Sequence, residues 1–523
     1  MPPMKNHQKE ELRSRRDFLR QSACASLGVT GLVNVLANLR LITAASAQVT
    51  GGGYKALVCL FQSGGNDSSN FLVPLGDVGD FTLRSDYEAA RGVLSLPVTD
   101  PVTGDPVLHP LTPASNAAFA RHFEGAAMPL GLHPSCTGIA EMFGAGEVAL
   151  LANAGTLSYP VPTREDYINQ TVPIPPQLFS HSDQQTQWQS SVSDKPFTTG
   201  WGGRAADLLN ASYNAGSKAS MSISLAGVNS FQVGTAGGVD QYTVGTNGAV
   251  SLSGYGSSYI SAYIDPENPS AGYINSDTGR RLEAFEKIMN LAHENLLEDQ
   301  YNRIIRGARA TEGVIGAALT AAAAGGVDFD THFLGAQTKL GDQLKMIAKL
   351  IAARNALGNS RQIFFCQIGG HDTHASMLTA HSNLMAELSG ALLAFRNTLK
   401  DPALDAFNDV TTFTMSDFNR TLQANGDDSG AGSDHAWGGH HLVMGGSVNG
   451  GDIYGHFPPL KTGAGLDSHS SRGRFIPETS VDQYAAVLTK WMGAGTNEIE
   501  AIFPNLPRFD DPFSVASANL GFL

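Results

Sequence analysis

Short apolar runs, separated by helical patterns, constrain the fold of this chain more than any other feature. The first run, residues 54–61, is almost continuously apolar and ends in Ser63-Gly64-Gly65-Asn66-Asp67. A run of this length that stops at a glycine turn is typical of a strand buried on both faces. Similar runs recur at residues 148–151, 221–225, 362–368, 410–415 and 442–444.

Between several of these runs, apolar residues recur at the spacing of an amphipathic helix. The helical stretches cover residues 281–319, 340–351 and 384–395. The second closes with Arg354 and Gly358, a helix C-terminal signal. Ser480 and Gln483 have the spacing of a capping box, which predicts a last helix over residues 481–492. Alternating strands and helices predict an α/β fold, a three-layer sandwich whose mainly parallel central sheet is covered on both faces.

Two stretches, residues 97–113 and 230–277, show neither the periodicity of a helix nor that of a strand. The second is rich in glycine, serine and tyrosine. We expect both to be loop insertions at the surface, for which a lid is one interpretation. Because no linker-like charge run divides the chain, we expect a single domain over residues 48–523.

The first 47 residues have the pattern of a twin-arginine signal peptide. Ser14-Arg15-Arg16-Asp17-Phe18-Leu19 carries the arginine pair, a moderately apolar run follows over residues 23–45, and Ala45-Ser46-Ala47 offers a cleavage site. We therefore expect export in the folded state and a periplasmic or extracellular location. Because the protein would fold before it is exported, it could bind a metal ion in the cytoplasm.

A transmembrane anchor is the alternative interpretation of the same segment. Asn34, Asn38 and Arg40 interrupt the apolar run, whereas a spanning helix needs roughly 20 mostly apolar residues. We therefore expect no membrane span in the mature chain.

The charge of the chain argues against nucleic acid as a partner. The formal net charge is −14, and removal of residues 1–47 takes away three acidic and seven basic residues, which gives −18. An acidic protein without a lysine- or arginine-rich stretch repels phosphate backbones.

Cysteine use indicates buried thiols. Cys59, Cys136 and Cys366 remain after cleavage, an odd number without C-x-x-C spacing. Two of them lie inside predicted strands, where cysteine packs as a small apolar residue.

Polar residues at the ends of parallel strands mark where ligands bind in such sheets. Four places of this kind stand out: residues 64–68, 369–374, 416–418 and 433–441. The first is also compatible with an ordinary Asx turn. Eight of the fifteen histidines lie between His371 and His469. Histidines and acidic residues clustered in this way favour a divalent metal site over ordinary surface residues.

The same segments resemble the DUF1501 family. The resemblance rests on five motifs in order: Ser63-Gly64-Gly65-Asn66-Asp67, Leu178-Phe179-Ser180-His181-Ser182-Asp183-Gln184-Gln185, Gly369-Gly370-His371-Asp372-Thr373-His374, Ser416-Asp417-Phe418-Asn419-Arg420-Thr421 and Ser433-Asp434-His435-Ala436-Trp437-Gly438-Gly439-His440-His441. It implies a fold similar to alkaline phosphatases, sulfatases and cofactor-independent phosphoglycerate mutases. Architecture follows from it more directly than activity.

The resemblance also implies metal ligands. Asp67 resembles the aspartate that follows the first strand in that superfamily. Asp372 and His374 resemble a later aspartate and histidine pair, and Asp417 resembles the aspartate of an Asp-His pair. Asp434 with His435 supplies a late histidine. Phe418 stands where the histidine next to Asp417 is expected, so one metal or a rebuilt pair fits better than the usual two. Carboxylates with imidazoles suit zinc or manganese, and also iron.

A nucleophile should lie near a helix N-terminus, where backbone N–H groups receive an anion. Ser180 is the leading candidate, with His181 beside it as a catalytic residue. Thr156 and Ser68 are alternatives, and Ser180 is equally compatible with a plain helix cap.

The sequence therefore predicts a secreted metal-dependent hydrolase of phosphate or sulfate esters, acting on a small-molecule or polymer ester. It contains no G-x-S-x-G elbow, H-E-x-x-H helix or G-x-x-x-x-G-K phosphate loop. Two alternatives remain: a non-catalytic binding or surface-assembly protein on the same fold, and a protein whose metal is structural.

Overall fold

The first predicted run forms β1 (Lys55–Gln62) at the centre of the sheet, where every residue after Lys55 is buried. The strand pairs in parallel on both sides, so that Cys59 lies opposite Phe365 and Phe413. The structure is a computed structural model that describes residues 53–249, 259–265, 268–290 and 312–523. The predicted signal peptide lies outside these residues.

The longest of the described strands have eight residues, and eight of the thirteen have only two to four. After β1 they are β2 (Leu72–Pro74), β3 (His109–Pro110), β4 (Leu130–Leu132), β5 (Val148–Gly155), β6 (Ser222–Ser224), β7 (Tyr242–Gly245), β8 (Gly248–Ala249), β9 (Arg361–Ile368), β10 (Val410–Ser416), β11 (Gly439–Met444), β12 (Ile453–Gly455) and β13 (Thr479–Ser480).

Helices separate most of these strands. They are α1 (Ser68–Phe71), α2 (Leu83–Arg91), α3 (Thr137–Gly144), α4 (Arg164–Asn169), α5 (His181–Ser190), α6 (Trp201–Tyr213), α7 (Asp277–Met289), α8 (Phe329–His332), α9 (Lys339–Ala352), α10 (Arg354–Leu357), α11 (Met377–Leu399), α12 (Val481–Trp491), α13 (Thr496–Ile502) and α14 (Val515–Ala518). Residues 312–323 are also helical. Short 3-10 helices lie at Gly92–Leu94, Ala117–Phe119, Tyr259–Ala262, Pro269–Ala271, Phe407–Asp409 and Leu506–Arg508.

The large sheet has the strand order β12, β5, β11, β10, β1, β9, β6, β7 and β8, and β13 pairs with β5. Neighbours from β10 through β1, β9 and β6 to β7 are parallel, as are β12 and β13 with β5. β11 is antiparallel to both β10 and β5, which therefore run in the same direction. The carboxyl ends of β1, β5, β9 and β10 meet at one edge. A smaller antiparallel sheet has the order β2, β4 and β3.

Successive residues of a strand point to opposite faces of its sheet, and β1 contributes to two hydrophobic cores. Val58 and Leu60 pack in the core that contains α3, α9 and α11. Cys59 and Phe61 pack in the core that contains α6, α12 and α13. The protein is therefore a mixed α/β structure with helices on both faces of a mainly parallel sheet, as predicted.

Local helix signals are confirmed where the structure describes them. The predicted stretch 340–351 is α9, and residues 384–395 lie inside α11. Gly358 has a φ of 74° directly after α10, the left-handed conformation that ends a helix. The capping box of Ser480 and Gln483 is present at α12. Of the stretch 281–319, α7 covers the start, and residues 291–311 lie outside the described part.

The two expected insertions contain more regular structure than their composition indicates. Within residues 97–113, β3 pairs with β4 in the small sheet. Within residues 230–277, β7 extends the large sheet next to β6. Strands of two to four residues are too short to show a period of two, so the sequence pattern could not reveal them.

The three cysteines at positions 59, 136 and 366 are free and buried, as expected. None of the described helices is both long and apolar enough to span a bilayer.

Candidate functional site

Three loops meet at the edge where the parallel strands end. In the turn after β1, Gly64 has a φ of 113°, and a Cβ there would lie 2.4 Å from the backbone nitrogen of Asp372. Ser63 O accepts a hydrogen bond from His371 N at 3.2 Å. The Gly64 N–H donates to both carboxylate oxygens of Asp417, at 3.2 Å each. Glycine thus allows the turn after β1 to touch the turns after β9 and β10.

A fourth segment reaches the same edge for a reason that the sequence did not reveal. Residues 433–438 precede β11 and do not follow a strand. Because β11 runs antiparallel, its amino end lies where the parallel strands have their carboxyl ends. The expectation that this segment follows a strand is wrong, although the segment reaches the predicted edge.

Three imidazoles converge on Asp372. Its Oδ1 lies 3.0 Å from His374 Nε2 and 3.4 Å from both His181 Nε2 and His435 Nε2. The Nε2 atoms of His374 and His435 are 3.0 Å apart. The side chain of Asp372 is 49% exposed and that of His374 is 44% exposed, so the group is open to a ligand from solvent.

The second nitrogen of each ring faces an oxygen that carries no hydrogen. The contacts are His181 Nδ1 to Asp417 Oδ2 at 2.6 Å, His435 Nδ1 to Phe179 O at 2.7 Å, and His374 Nδ1 to Asp434 Oδ1 at 3.2 Å. Such oxygens only accept, so Nδ1 donates in each ring. Asp372 Oδ1 also only accepts, so Nε2 is bare when the ring is neutral and a cation lies between Nε2 and that oxygen. Histidines that bind metals have this arrangement, since the outer hydrogen bond fixes the tautomer.

His181 is the first residue of α5 and belongs with the convergent group. Its partner Asp417 is completely buried and also accepts a hydrogen bond from Gln185 Nε2 at 3.0 Å. The hydrogen bond that His181 donates to Asp417 raises the pKa of His181, and partial burial opposes this shift. Because a metal needs the bare Nε2, protons and metal would compete for this atom.

Arg420 lies in the family motif that begins at Ser416, and the sequence pattern predicts no role for it. Its buried guanidinium donates to the carbonyls of Gly64 at 2.6 Å, Gly65 at 3.1 Å and Ser433 at 3.0 Å, and to the carboxylate of Asp372. Partial burial raises the pKa of Asp372, but the hydrogen bond and charge of Arg420 outweigh it and lower that pKa to about 2. Asp372 is thus ionised at neutral pH. The position of Arg420 four residues after the end of β10 is the feature of the sequence that could have indicated a role in the site.

Phe418 occupies the position next to Asp417 where a histidine was expected. Its ring centre lies 4.8 Å from that of His181 and 4.6 Å from that of His435. Phe418 is buried and has no ligand atom, so it packs against the two imidazoles and restricts their rotation.

The residues at this edge fit a divalent cation. One ligand atom each from His181, Asp372 and His435 lies within 4.8 Å of the other two. The Nε2 of His181 is buried and has no hydrogen-bond partner among the described residues. A buried polar atom without a partner is costly, and a bound cation would satisfy it. Arg420 contacts the same oxygen of Asp372, so its charge would lie beside the ion.

Three of the predicted ligands have other positions. Asp67 is buried and paired with Arg91 of α2. Burial raises the pKa of Asp67, and the charge of Arg91 opposes this shift. α1 begins directly after Asp67, whose side chain points into the core. Asp417 and Asp434 lie behind His181 and His374 and hold those rings.

Ser180 lies at the start of α5. It occupies the N-cap position, but its side chain makes no capping bond, and its Oγ instead donates to Asp183 Oδ2 at 2.6 Å. Thr156 and Ser68 are each 1% exposed, whereas Ser180 is half-buried. Of the three candidate hydroxyls, Ser180 is therefore the one that a substrate can reach.

Comparisons with known proteins agree with the motifs. The family model described as "Protein of unknown function (DUF1501)" matches residues 54–472. No curated protein matches the chain. The matched region includes His181, Asp372, His374, His435 and Arg420, and it covers most of the chain. This chain belongs to the DUF1501 family.

Proposed function

We propose that this chain is a secreted, metal-dependent hydrolase of phosphate or sulfate esters on an alkaline phosphatase-like fold. The observation that carries the proposal is the convergence of the Nε2 atoms of His181, His374 and His435 on Asp372. The position of this group at the carboxyl edge of a mainly parallel sheet supports it, because ligands bind there in such folds.

In this proposal, His181, Asp372 and His435 hold a divalent cation, zinc or manganese, with His374 next to them. When bound, the cation would polarise a non-bridging oxygen of the ester and favour the ionised form of a hydroxyl nucleophile. Arg420 adds a fixed positive charge beside the oxygens on which negative charge grows.

Ser180 is the proposed nucleophile, and Asp183 accepts its proton. As Ser180 Oγ attacks phosphorus or sulfur, the bond to the ester oxygen breaks, and the alcohol leaves with that electron pair and takes up a proton from water. The hydroxide that remains takes the proton held by Asp183 and restores its carboxylate. A water molecule then cleaves the phosphate or sulfate from Ser180 and restores its hydroxyl. The hydrogen bond of 2.6 Å between Ser180 and Asp183 supports this assignment.

Export through the twin-arginine route is part of the proposal. It rests on residues 14–19 and on the cleavage site at residues 45–47, both outside the described residues. Because passengers of this route cross folded, the cation would be bound before export. The substrate is then a small-molecule or polymer ester outside the cytoplasm.

One observation favours a second function, that of a non-catalytic binding or surface-assembly protein. Phe418 lies against two of the imidazoles in the place where enzymes of the superfamily carry a further histidine. A chain that had lost catalysis could retain the convergent group for binding alone.

The first test measures metal content and release of nitrophenol from aryl phosphate and sulfate esters. We expect about one metal ion per chain and turnover in the wild type. His435→Ala should lower both the metal affinity and the turnover by about 100-fold or more. Ser180→Ala should keep its metal and lose turnover by about 100-fold or more. His332→Ala is the matched control, because His332 pairs with a different carboxylate, Asp401 at 2.8 Å, and does not belong to the convergent group.

A well-folded wild type with neither metal nor turnover would contradict the proposal. Metal without turnover, unchanged by Ser180→Ala, would favour the binding protein. Loss of metal in His332→Ala would show that the effect of His435→Ala is not specific.

A further inference from the structure

Gln185 closes the family motif that begins at Leu178, and the proposed chemistry gives it no role. It lies on α5 four residues after His181, a spacing that places both side chains on one face of the helix. Both side chains reach the same carboxylate oxygen. Asp417 Oδ2 is 2.6 Å from His181 Nδ1 and 3.0 Å from Gln185 Nε2. The start of α5 is therefore attached at two points to the residue that follows β10.

The carboxylate of Asp417 is completely buried and depends on its hydrogen-bond donors. The backbone N–H of Gly64 donates to both oxygens at 3.2 Å, and the two side chains of α5 donate to Oδ2. A buried carboxylate is costly unless such donors satisfy it. Gln185 supplies one of the two side-chain donors to Asp417 among the described residues, so it helps to fix the plane of this carboxylate.

The amide of Gln185 can bind Asp417 in only one orientation. A carboxylate oxygen only accepts, so the NH₂ group of the amide faces it and the amide oxygen does not. The same nitrogen also lies 3.3 Å from Ser63 Oγ, in the turn after β1. Gln185 thus connects α5 to the turns after β1 and β10, which both border the candidate site.

The orientation of His181 depends on this carboxylate. Nδ1 of its ring is bound to Asp417, and Nε2 is 3.4 Å from Asp372 Oδ1. The side chain of His181 is 31% exposed, so packing surrounds the ring on only part of its surface. A rotation of the Asp417 carboxylate would therefore turn the ring and move Nε2 away from the other ligand atoms.

We propose that Gln185 is a positioning residue for the metal site, which holds Asp417 and through it the ring of His181. Hydrogen-bond partners of metal-binding histidines contribute about 10- to 100-fold to metal affinity, and Gln185 acts one residue further from the metal, so we expect about tenfold. This inference rests on the proposed function, since it takes His181 as a ligand of the cation.

Zinc affinity, measured by calorimetry, tests the inference without requiring turnover. Gln185→Leu removes the amide and keeps a side chain of similar size, and it should bind zinc about tenfold more weakly than the wild type. Gln185→Met, which retains the length of the side chain, should show the same loss. Urea unfolding of the metal-free proteins establishes that each variant is folded.

The visible absorption spectrum of bound cobalt(II) separates positioning from a general loss of stability, because it reports the geometry of the ligands. At saturating cobalt, the spectrum of Gln185→Leu should differ from that of the wild type. Gln241→Leu is the matched control. Gln241 is also half-buried, and its Nε2 donates to Gln232 Oε1 at 3.1 Å. This control should keep both the zinc affinity and the cobalt spectrum of the wild type.

Three results would overturn the inference: no zinc binding by the wild type, wild-type affinity and spectrum in a folded Gln185→Leu, or the same losses in Gln241→Leu. The failure of the hydrolase proposal would look different. A protein whose metal binding depends on Gln185 but which cleaves no ester would contradict hydrolysis alone. One that binds zinc and cleaves esters, with no change of affinity or spectrum in Gln185→Leu, would contradict only the role of Gln185.

Discussion

At the residue scale, the candidate site depends on a backbone contact that leaves no space for a methyl group. Gly64 and Gly79 both have positive φ, but a Cβ on Gly64 would lie 2.4 Å from Asp372 N, whereas a Cβ on Gly79 meets nothing within 4 Å. Comparing alanine substitutions at these two glycines therefore separates the free-energy cost of the backbone conformation from that of the close contact.

We predict that Gly64→Ala lowers the free energy of unfolding by about 1–3 kcal/mol more than Gly79→Ala does, as expected for overpacking at a closed contact. It should also weaken metal binding, because Asp372 is displaced. Urea unfolding and metal titration of the two variants measure these effects. Equal losses of stability with equal metal affinity would contradict the importance of this contact.

The burial and pairing of the carboxylates were the least predictable features of the site. Asp67 follows a strand as a metal ligand should, yet it is buried against Arg91. Asp372 has the same kind of sequence environment but lies half exposed beside Arg420. Whether a carboxylate after a strand faces solvent or an internal arginine depends on residues far away in the chain, which the local pattern does not contain.

At the element scale, helix ends were predictable because capping is local. The side chain of Ser480 accepts from Gln483 N, and Gln483 reaches back to the N-cap backbone. Ser514 begins α14 with no side-chain capping bond. The two serines occupy the same helix position and differ in this hydrogen bond.

We predict that Ser480→Ala lowers the free energy of unfolding by about 1 kcal/mol or more and that Ser514→Ala changes it by less than about 0.5 kcal/mol. Chemical unfolding followed by circular dichroism measures both. Similar effects for the two substitutions would show that the capping bond contributes no stability.

At the element scale, the direction of β11 determines which residues come together at the site. An apolar run has the same composition in either direction, so its sequence does not indicate whether it pairs in parallel. In the structure, β11 is antiparallel, and this places His435 and Arg420, from segments on either side of the 421–432 connection, at one edge. A parallel β11 would have put residues 433–438 at the opposite edge.

At the scale of the whole molecule, buried histidines couple stability to pH. Burial lowers the pKa of six of them: His133 and His456 to about 4, His371, His440 and His441 to about 3, and His381 well below its usual value. The unfolded chain binds protons on these rings near pH 6.5, whereas the folded protein excludes them. The folded state is therefore favoured above pH 6.5, and this stabilisation is lost as pH falls toward the folded pKa values.

We predict that the free energy of unfolding falls steadily between pH 7 and pH 5, with excess chelator present so that metal loss does not contribute. His441→Phe should reduce the slope, because it removes one of the titrating rings from between Trp188 and Tyr484. Urea unfolding at several pH values measures the slope. A stability that is the same at pH 5 and pH 7 would contradict the prediction.

The sequence by itself determined the longer strands and helices, where helices end, and that acidic residues and histidines accumulate near strand ends, whereas the short strands β3 and β7 were not predictable from it. These features have periods or spacings of a few residues, and the backbone imposes them locally. Tertiary structure alone decided that His181, Asp372, His374 and His435 share one site, that Asp67 does not, and that Arg420 holds its carboxylate. Those outcomes depend on strand order, strand direction and burial, which arise from contacts between residues tens to hundreds of positions apart.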